Sequence, residues 1–351
     1  MSILAEKVHA APASRVAVLL WWAGFLASLV LPVTTLAFLA GGPKPWHEAL
    51  LWTLPVWTLI AADHCSPALT RDPPKGLADW PFDLLLCLLA ALQFANVIAL
   101  AAFAAQTQWQ SAGTVGVSLV NLLAARILTG TNSCCAAIAP AHELIHRRSR
   151  FMRLLGRLLL WTVFYDHFAI AHARFHHRRW GTRRDPSIAR PGESYRAFLL
   201  RTLPAQFRLA WRADARGVLI GLAGETLLAV LIAVQFGWVA LAMFFYQAAV
   251  AVRLLEAVNY FQHWGLQAKD ASHPVAWVGA SAVSQFLFLG LPRHSAHHRR
   301  AGETYPRLRF DPDGPRLPYG YLWMAVLVKN ADRRYQTLAG EQLREWRVAQ
   351  G

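Results

Sequence analysis

The sequence predicts an all-α membrane protein, with about six transmembrane helices carrying a histidine-rich di-metal cap on the cytoplasmic side. Three observations lead there. The chain of 351 residues is 55% hydrophobic and only 16% charged, where a soluble domain carries nearer a quarter charged residues. Apolar runs of roughly 20 residues, enough to cross a ~30 Å hydrocarbon core, recur along it. Fourteen histidines are present, and most of them bunch just beyond the fourth and sixth of those runs.

The first run, about 16–40, follows Lys7 and Arg15. It is far longer than the roughly 7–15 residues of a signal-peptide core and no convincing small-residue cleavage site follows it, so a retained helix is expected. Runs at about 47–64, 83–106 and 114–140 come next. A last pair, about 217–236 and 238–258, is expected to form a tight hairpin about Gly237. In lipid each run must satisfy its own backbone polar groups, which makes each a helix. Residues 141–216 and 259–325 supply the cap. No internal repeat or low-complexity stretch divides the chain, so residues 1–351 read as a single domain.

The formal charge is +15, and of 35 Lys and Arg sixteen lie in 141–217 and eleven in 292–351. Short loops rich in Lys and Arg stay in the cytoplasm. That rule places both regions, the loop 65–82 with Arg71 and Lys75, and the N-terminus on the cytoplasmic face of an inner membrane of bacterial type. The opposite face receives only GGPKPW (41–46), QTQWQSAG (106–113) and the turn at Gly237. Because the arginines flank membrane helices, topology and contact with anionic membrane lipid explain them, and no nucleic-acid partner is expected. Cys65, Cys87, Cys134 and Cys135 form no CxxC, which argues against a disulfide framework and against an iron–sulfur or zinc-ribbon site. Cys134 and Cys135 are expected to pack as small apolar residues.

The histidines fall in HELIH (142–146), HARFHH (172–177), a lone His263 and HSAHH (294–298). Residues i and i+4 share a helix face, so His142 and His146 are expected to converge on one centre. His172 and His176 repeat that arrangement. His177, rotated by about 100°, is free to reach a neighbouring centre. His294, His297 and His298 are expected to converge through their i, i+3 and i+4 spacing. HELIH alone also fits a zinc protease with Glu143 as general base. Eight or nine histidines are too many for one tetrahedral zinc, however. They suit two metals, each with four or five imidazoles and an open position. Imidazole accepts Fe, Zn, Cu or Ni, but zinc does not change redox state, whereas two irons beside a lipid-facing pocket would serve oxygen activation.

Taken alone, His263 reads as a core histidine satisfied by Asn259 or Gln262. His9, His47, His64, His167 and His273 read as non-ligands, although His167 in YDHF is placed to support a ligand. Metal-binding histidines usually donate their second ring nitrogen to a carboxylate or carbonyl. Glu143, Asp166, Asp185 and Glu256 are candidates for that role, together with His167, Asn259 and Arg293. A histidine-rich metal transporter or sensor is the non-enzyme alternative. It would need ionisable residues along the bilayer midplane, and the spans offer only Asn96, Asn121, Arg126, Glu225, Arg253 and a few others.

HELIHR (142–147), HARFHH (172–177), RRDPS (183–187), NYFQHWGL (259–266) and LPRHSAHH (291–298), in this order, resemble alkane 1-monooxygenase. This is the AlkB-type integral-membrane hydroxylase, related to xylene monooxygenase, and the resemblance covers roughly residues 50–325. The three clusters alone would indicate only the wider superfamily of membrane fatty acid desaturases and hydroxylases. The block around Asn259, Tyr260, His263 and Gly265 points to the alkane and xylene branch. The resemblance implies a non-haem di-iron monooxygenase that uses O2 to hydroxylate the terminal carbon of alkanes or alkyl chains. It implies two Fe ions held by His142, His146, His172, His176, His177, His263, His294, His297 and His298, and a hydrocarbon that enters from lipid. The chain has no flavin, haem or iron–sulfur motif, so electrons must come from a separate partner, by resemblance a rubredoxin or a ferredoxin-type reductase.

Benzylic hydroxylation of a methylarene and lipid desaturation are the alternative reactions. The place of His263 between the second and third clusters disfavours a desaturase. Trp52 and Trp57, near the second run, are expected to limit chain length as bulky plugs. The family usually has Glu-His-Asn-Arg-Gly-His-His where this chain departs at Ala171, Ala173 and Phe175. Many members have Glu at Gln262, Tyr at Trp264 and Asp at Ala296. These departures bear on tuning and substrate, whereas every cluster histidine is kept. Electron carriers of this kind tend to be acidic, and an arginine-rich face would steer one in. Partner-driven turnover should therefore fall as salt is raised, and a rate independent of ionic strength counts against this docking face.

Overall fold

A computed structural model describes residues 14–182, 184–266 and 276–349. Lys7, His9, Arg183 and His273 lie outside the described residues. Within them the only extended pairings are two isolated bridges, Ala68 with Ser281 and Val278 with Arg316. The helices are α1 (Arg15–Ala40), α2 (Trp46–Leu51), α3 (Leu54–His64), α4 (Trp80–Ala105), α5 (Ala112–Leu144), α6 (Arg150–Trp161) and α7 (His167–Ala171). They continue as α8 (Tyr195–His263), α9 (Ala282–Leu287), α10 (His294–Arg299), α11 (Tyr321–Asn330) and α12 (Asp332–Ala349). Serines start many of them: Ser14, Ser111, Ser149, Ser194 and Ser281 each accept a hydrogen bond from an otherwise unpaired first-turn N–H.

Among the described residues four helices, α1, α4, α5 and α8, are long and apolar enough to cross a membrane. The count differs from the expected six for two physical reasons. The first is that α8 holds both members of the expected hairpin. Its backbone leaves helical geometry at Asp214 and at Gly237, where φ is 84°, a conformation that favours glycine. Gly221 and Gly224 pack on Asp166 and Trp161, while Phe245 edges Phe164 and Gln247 donates to the Thr162 carbonyl. Positions on either side of Gly237 thus meet the same short segment, so the chain doubles back there. The second reason is that the expected span 47–64 is interrupted. It forms α2 and α3, of 6 and 11 residues, because Pro55 in the first turn of α3 has no N–H to continue the ladder.

Polar side chains tie the bundle together, as they do where lipid offers no partner. Gln93 of α4 donates to Ser133 Oγ (3.2 Å) and Thr162 Oγ1 (3.1 Å), and Asn96 donates to the Pro32 carbonyl (2.9 Å). The aromatic rings of Trp21 and Phe25 on α1 meet Phe286 and Tyr305 edge-on, which joins the first helix to the C-terminal part of the cap.

Asp63, at the end of α3, anchors the rest of that cap. Its buried carboxylate accepts from Ser281 Oγ (2.6 Å), Ser284 Oγ (2.5 Å) and the Leu322 N–H (2.8 Å). Gly320 stands where any Cβ would collide with that carboxylate. Asp63→Ala strands two buried hydroxyls and a helix-start N–H, at a cost of about 3 kcal/mol. The thermal midpoint of the purified protein should fall by several degrees, with a smaller fall for Asp63→Asn. An unchanged midpoint in Asp63→Ala rules out this tie.

Candidate metal centre

Two π-turns, in which the backbone bonds i to i+5, set the histidines. Such turns are rare and occur mostly at functional sites. The first, Cys134–Ile138, widens α5 just ahead of Pro140 and delivers His142 near the helix end, with His146 just beyond it. Cys134 and Cys135 are buried free thiols within this turn. The second, His172–His176, continues α7 and is followed by a final turn, His177–Arg179. His263 is the last residue of α8, and His294, His297 and His298 ride on α10.

The cluster histidines gather into two groups. His142, His146, His172, His177 and His297 form one, and His176, His263, His294 and His298 the other. In each group one nitrogen per ring lies within 4.8 Å of all the others, close enough to hold a metal ion. The expected pairings of His172 with His176 and of His294 with both His297 and His298 are corrected here, and only HELIH keeps to a single group. The π-turn adds a residue to the turn, so His172 pairs with His177, Nε2 to Nε2 at 2.9 Å. His176 faces the other group and meets His298 at 3.0 Å. On α10 the adjacent His297 and His298 point about 100° apart. His298 therefore joins His294 at 2.9 Å, and His297 crosses to His177 at 3.3 Å.

Burial, and then the proximity of other rings, favours the neutral form of several of these imidazoles. His172, His294, His297 and His298 are pushed well below the usual histidine range, and His146 falls to about 4. A neutral ring has one N–H and one lone pair. His176 Nδ1 lies 2.7 Å from Asp185 Oδ2, so its proton sits there and its Nε2 presents a lone pair to His298. In the other group, His142 Nε2 and His146 Nε2 are buried with no hydrogen-bond partner. Metal–nitrogen distances of about 2.1 Å separate neighbouring ligand atoms by roughly 3 Å, the spacing seen across both groups. Neutral donors, orphaned buried nitrogens and ligand-like spacing fit a metal pair.

The supporting residues named from sequence fall in different places. Asp185 bonds His176 directly at 2.7 Å; burial opposes ionisation of its carboxyl, but His176, the neighbouring His263 and the Ser187 N–H together hold it below the usual range. Glu256 is fully buried and takes hydrogen bonds from Tyr165 Oη (2.9 Å), Gln206 Nε2 (3.2 Å) and Asn259 Nδ2 (3.3 Å). Gln206 also reaches Ser187, whose N–H bonds Asp185 Oδ1, which links Glu256 to His176 through hydrogen bonds, while Asn259 borders the same small pocket as His172 and His176. Glu143 pairs with Arg147, Asp166 with Arg157, and Arg293 donates to the carbonyls of Leu308 and Arg71. His167 packs on Tyr165 and Phe207, His47 on Trp46, and His64 on Tyr319 and Trp323. Sequence reasoning missed Phe168 and Trp180, whose rings stack on His172 (4.9 Å) and His298 (5.2 Å). It also missed Tyr165 and Gln206; no spacing rule points to any of these.

A narrow cavity of about 20 Å³ opens between the groups, lined by His142, His172 and His294 and walled by Cys134, Ile138, Phe168, Leu255, Val258, Phe288 and Leu291. Trp52 and Trp57, expected as plugs, do not line it. Trp52 packs on Phe38, and Trp57 is half exposed and donates to Thr53 Oγ1. Trp52 lies at the break between α2 and α3, and Trp57 lies on α3.

The fatty acid desaturase family profile matches residues 117–311. Alkane 1-monooxygenase 1 of Pseudomonas aeruginosa is 32% identical over 77% of this chain and 74% of its own length. Alkane 1-monooxygenase 1 of Alcanivorax borkumensis is 28% identical over 82% and 74%. The hydroxylase component of xylene/toluene monooxygenase from Pseudomonas putida is 25% identical over 58% and 63%. With its helical membrane bundle and paired histidine groups, the chain belongs to the fatty acid desaturase family, within its alkane 1-monooxygenase branch, and is a membrane oxidoreductase.

Proposed function

We propose that this protein is a non-haem di-iron monooxygenase that hydroxylates the terminal carbon of alkanes or alkyl chains. One observation carries the reading: a small, mainly apolar cavity is bordered by His142, His172 and His294, drawn from both histidine groups. His142, His146, His172, His177 and His297 would hold one iron, and His176, His263, His294 and His298 the other. When bound, the irons supply the activation of O2 and the oxidation of the C–H bond. The balance is R–CH3 with O2, two electrons and two protons giving R–CH2OH and water.

The chain's own residues do the positioning. Ile138, Phe168, Val258 and Phe288 form apolar walls beside His142, His172 and His294; an opening this narrow would admit the end of an unbranched chain before its interior. Asp185 fixes the tautomer of His176, which leaves Nε2 as donor. The relatives named for alkanes match more closely than the one named for xylene and toluene, which favours an alkyl chain over a methylarene.

Electrons would come from an acidic carrier, a rubredoxin or a ferredoxin-type reductase. Exposed Arg178 and Arg179 follow His177, and exposed Arg299 and Arg300 follow His298, so positive charge surrounds the approach to both groups. By the positive-inside rule this face would lie in the cytoplasm, with the bundle in an inner membrane of bacterial type.

Purified protein should contain about two iron atoms per chain and, with reduced rubredoxin, convert octane to 1-octanol. Zinc in place of iron, or 2-octanol as the main product, overturns the reading. His263→Ala should lower iron by about one atom per chain and abolish turnover; full iron content in this variant removes His263 from the ligand set. Asp185→Asn should weaken metal retention by about 10–100-fold, read by competition with a chelator, and retention equal to the parent's excludes that role.

A further inference from the structure

A metal-binding imidazole is normally oriented by a hydrogen bond from its second ring nitrogen. His176 has one, between Nδ1 and Asp185 Oδ2 at 2.7 Å. His298 turns Nε2 toward His176 (3.0 Å) and His294 (2.9 Å), so Nδ1 is the nitrogen left to be tethered. That atom is buried with no hydrogen-bond partner. His294 Nδ1 also lacks one, but its ring lies deeper, 2% exposed against 7% for His298.

A different side chain holds the His298 ring. The indole of Trp180 stacks on it, with ring centres 5.2 Å apart and planes 22° from parallel. Among the described residues every other ring that meets His298 belongs to the histidine cluster. His298 is the most accessible ring of the second group and Trp180 is itself part-exposed, so the indole stands between that group and solvent. Local structure puts it there. The turn His177–Arg179 leaves helical geometry at Trp180 (φ −52°, ψ 145°), and Gly181 follows with φ 72°, a conformation that favours glycine. The Thr182 N–H then bonds the Arg179 carbonyl (3.0 Å), and the Asp185 N–H bonds the Thr182 carbonyl (3.1 Å). One short segment thus supplies the carboxylate on His176 and the indole on His298.

We propose that Trp180 is a positioning residue for the second histidine group. Its indole face fixes the plane of His298 in place of the absent hydrogen bond, and so keeps the Nε2 lone pair on the metal position. The inference rests on the reading that His176, His263, His294 and His298 hold a metal ion, and it is independent of the substrate. Stacked rings gain from their alignment beyond the area they bury, so an aliphatic side chain of similar bulk would cover His298 without orienting it. His172 in the first group has a comparable neighbour in Phe168, but that ring is buried and walls the cavity. Trp180 can be exchanged without opening the core.

The test reads metal binding alone, on full-length protein in non-ionic detergent with cobalt(II) as the metal. Apoprotein is reloaded, and its visible spectrum and the release of cobalt to a chelator are followed. The parent should take up two ions, one per group. In Trp180→Ala one ion should leave about tenfold faster, with a changed ligand-field spectrum, while the other leaves at the parental rate. Trp180→Phe should restore both rate and spectrum, and Trp180→Leu should behave as Trp180→Ala. Parental release and spectrum in Trp180→Ala overturn the proposal, as does a Trp180→Phe protein that restores neither. A Trp180→Leu protein equal to the parent also overturns it, by showing that apolar cover suffices. Equal acceleration of both ions overturns it in favour of a general loosening of the fold. A parent that binds fewer than two ions removes the metal reading as well, whereas a two-ion parent with unaffected variants removes the role of Trp180 alone.

Discussion

Nine imidazoles, pressed into two groups with donor atoms within 4.8 Å, form the constraint that the rest of the structure serves. Charged rings could not be packed so closely, and burial keeps the cap rings neutral. Neutral rings that present lone pairs at about 3 Å repel one another unless a cation lies between them. The bundle supplies the rigidity that holds this arrangement. α5 and α8 each deliver histidines from a membrane-length helix, and Asp63 fastens α9 and α11 to the end of α3.

Much of this could be read from the sequence, because its causes are local. Apolar runs mark the crossing helices, Gly237 marks the hairpin, and the spacing in HELIH places two rings on one face. The allocation of rings to centres could not be read. It depends on two π-turns, and nothing in HARFHH distinguishes an i to i+5 bond from an ordinary helical one. A helix-period reading of that motif therefore pairs His172 with His176, and the structure parts them.

The misplacement of Trp52 and Trp57 has a related origin. Apolar content over 47–64 suggests a span, but the helix breaks ahead of Pro55 and neither ring lines the cavity. Partners far apart in sequence were equally hidden. Asp63 finds Ser281 and Ser284 more than two hundred positions away, and no pattern signals it. The supporting residues named from sequence do not sort by distance along the chain. Asp166 lies nearer to HARFHH than Asp185 does, yet Asp185 reaches a cluster ring while Asp166 pairs with Arg157 and Arg293 bonds backbone carbonyls.

The last run of α8 carries Arg253, Leu255, Val258, Asn259 and His263 on one unbroken helix. Cavity wall and histidine donor are thus parts of a single stiff rod. A side chain exchanged at Leu255 or Val258 to admit a wider guest shifts or tilts that rod, and the ring at its tip moves with it. Guest size and the geometry of the centre are mechanically coupled, so a change in one must be matched by compensating changes in the rings that face it from α7 and α10.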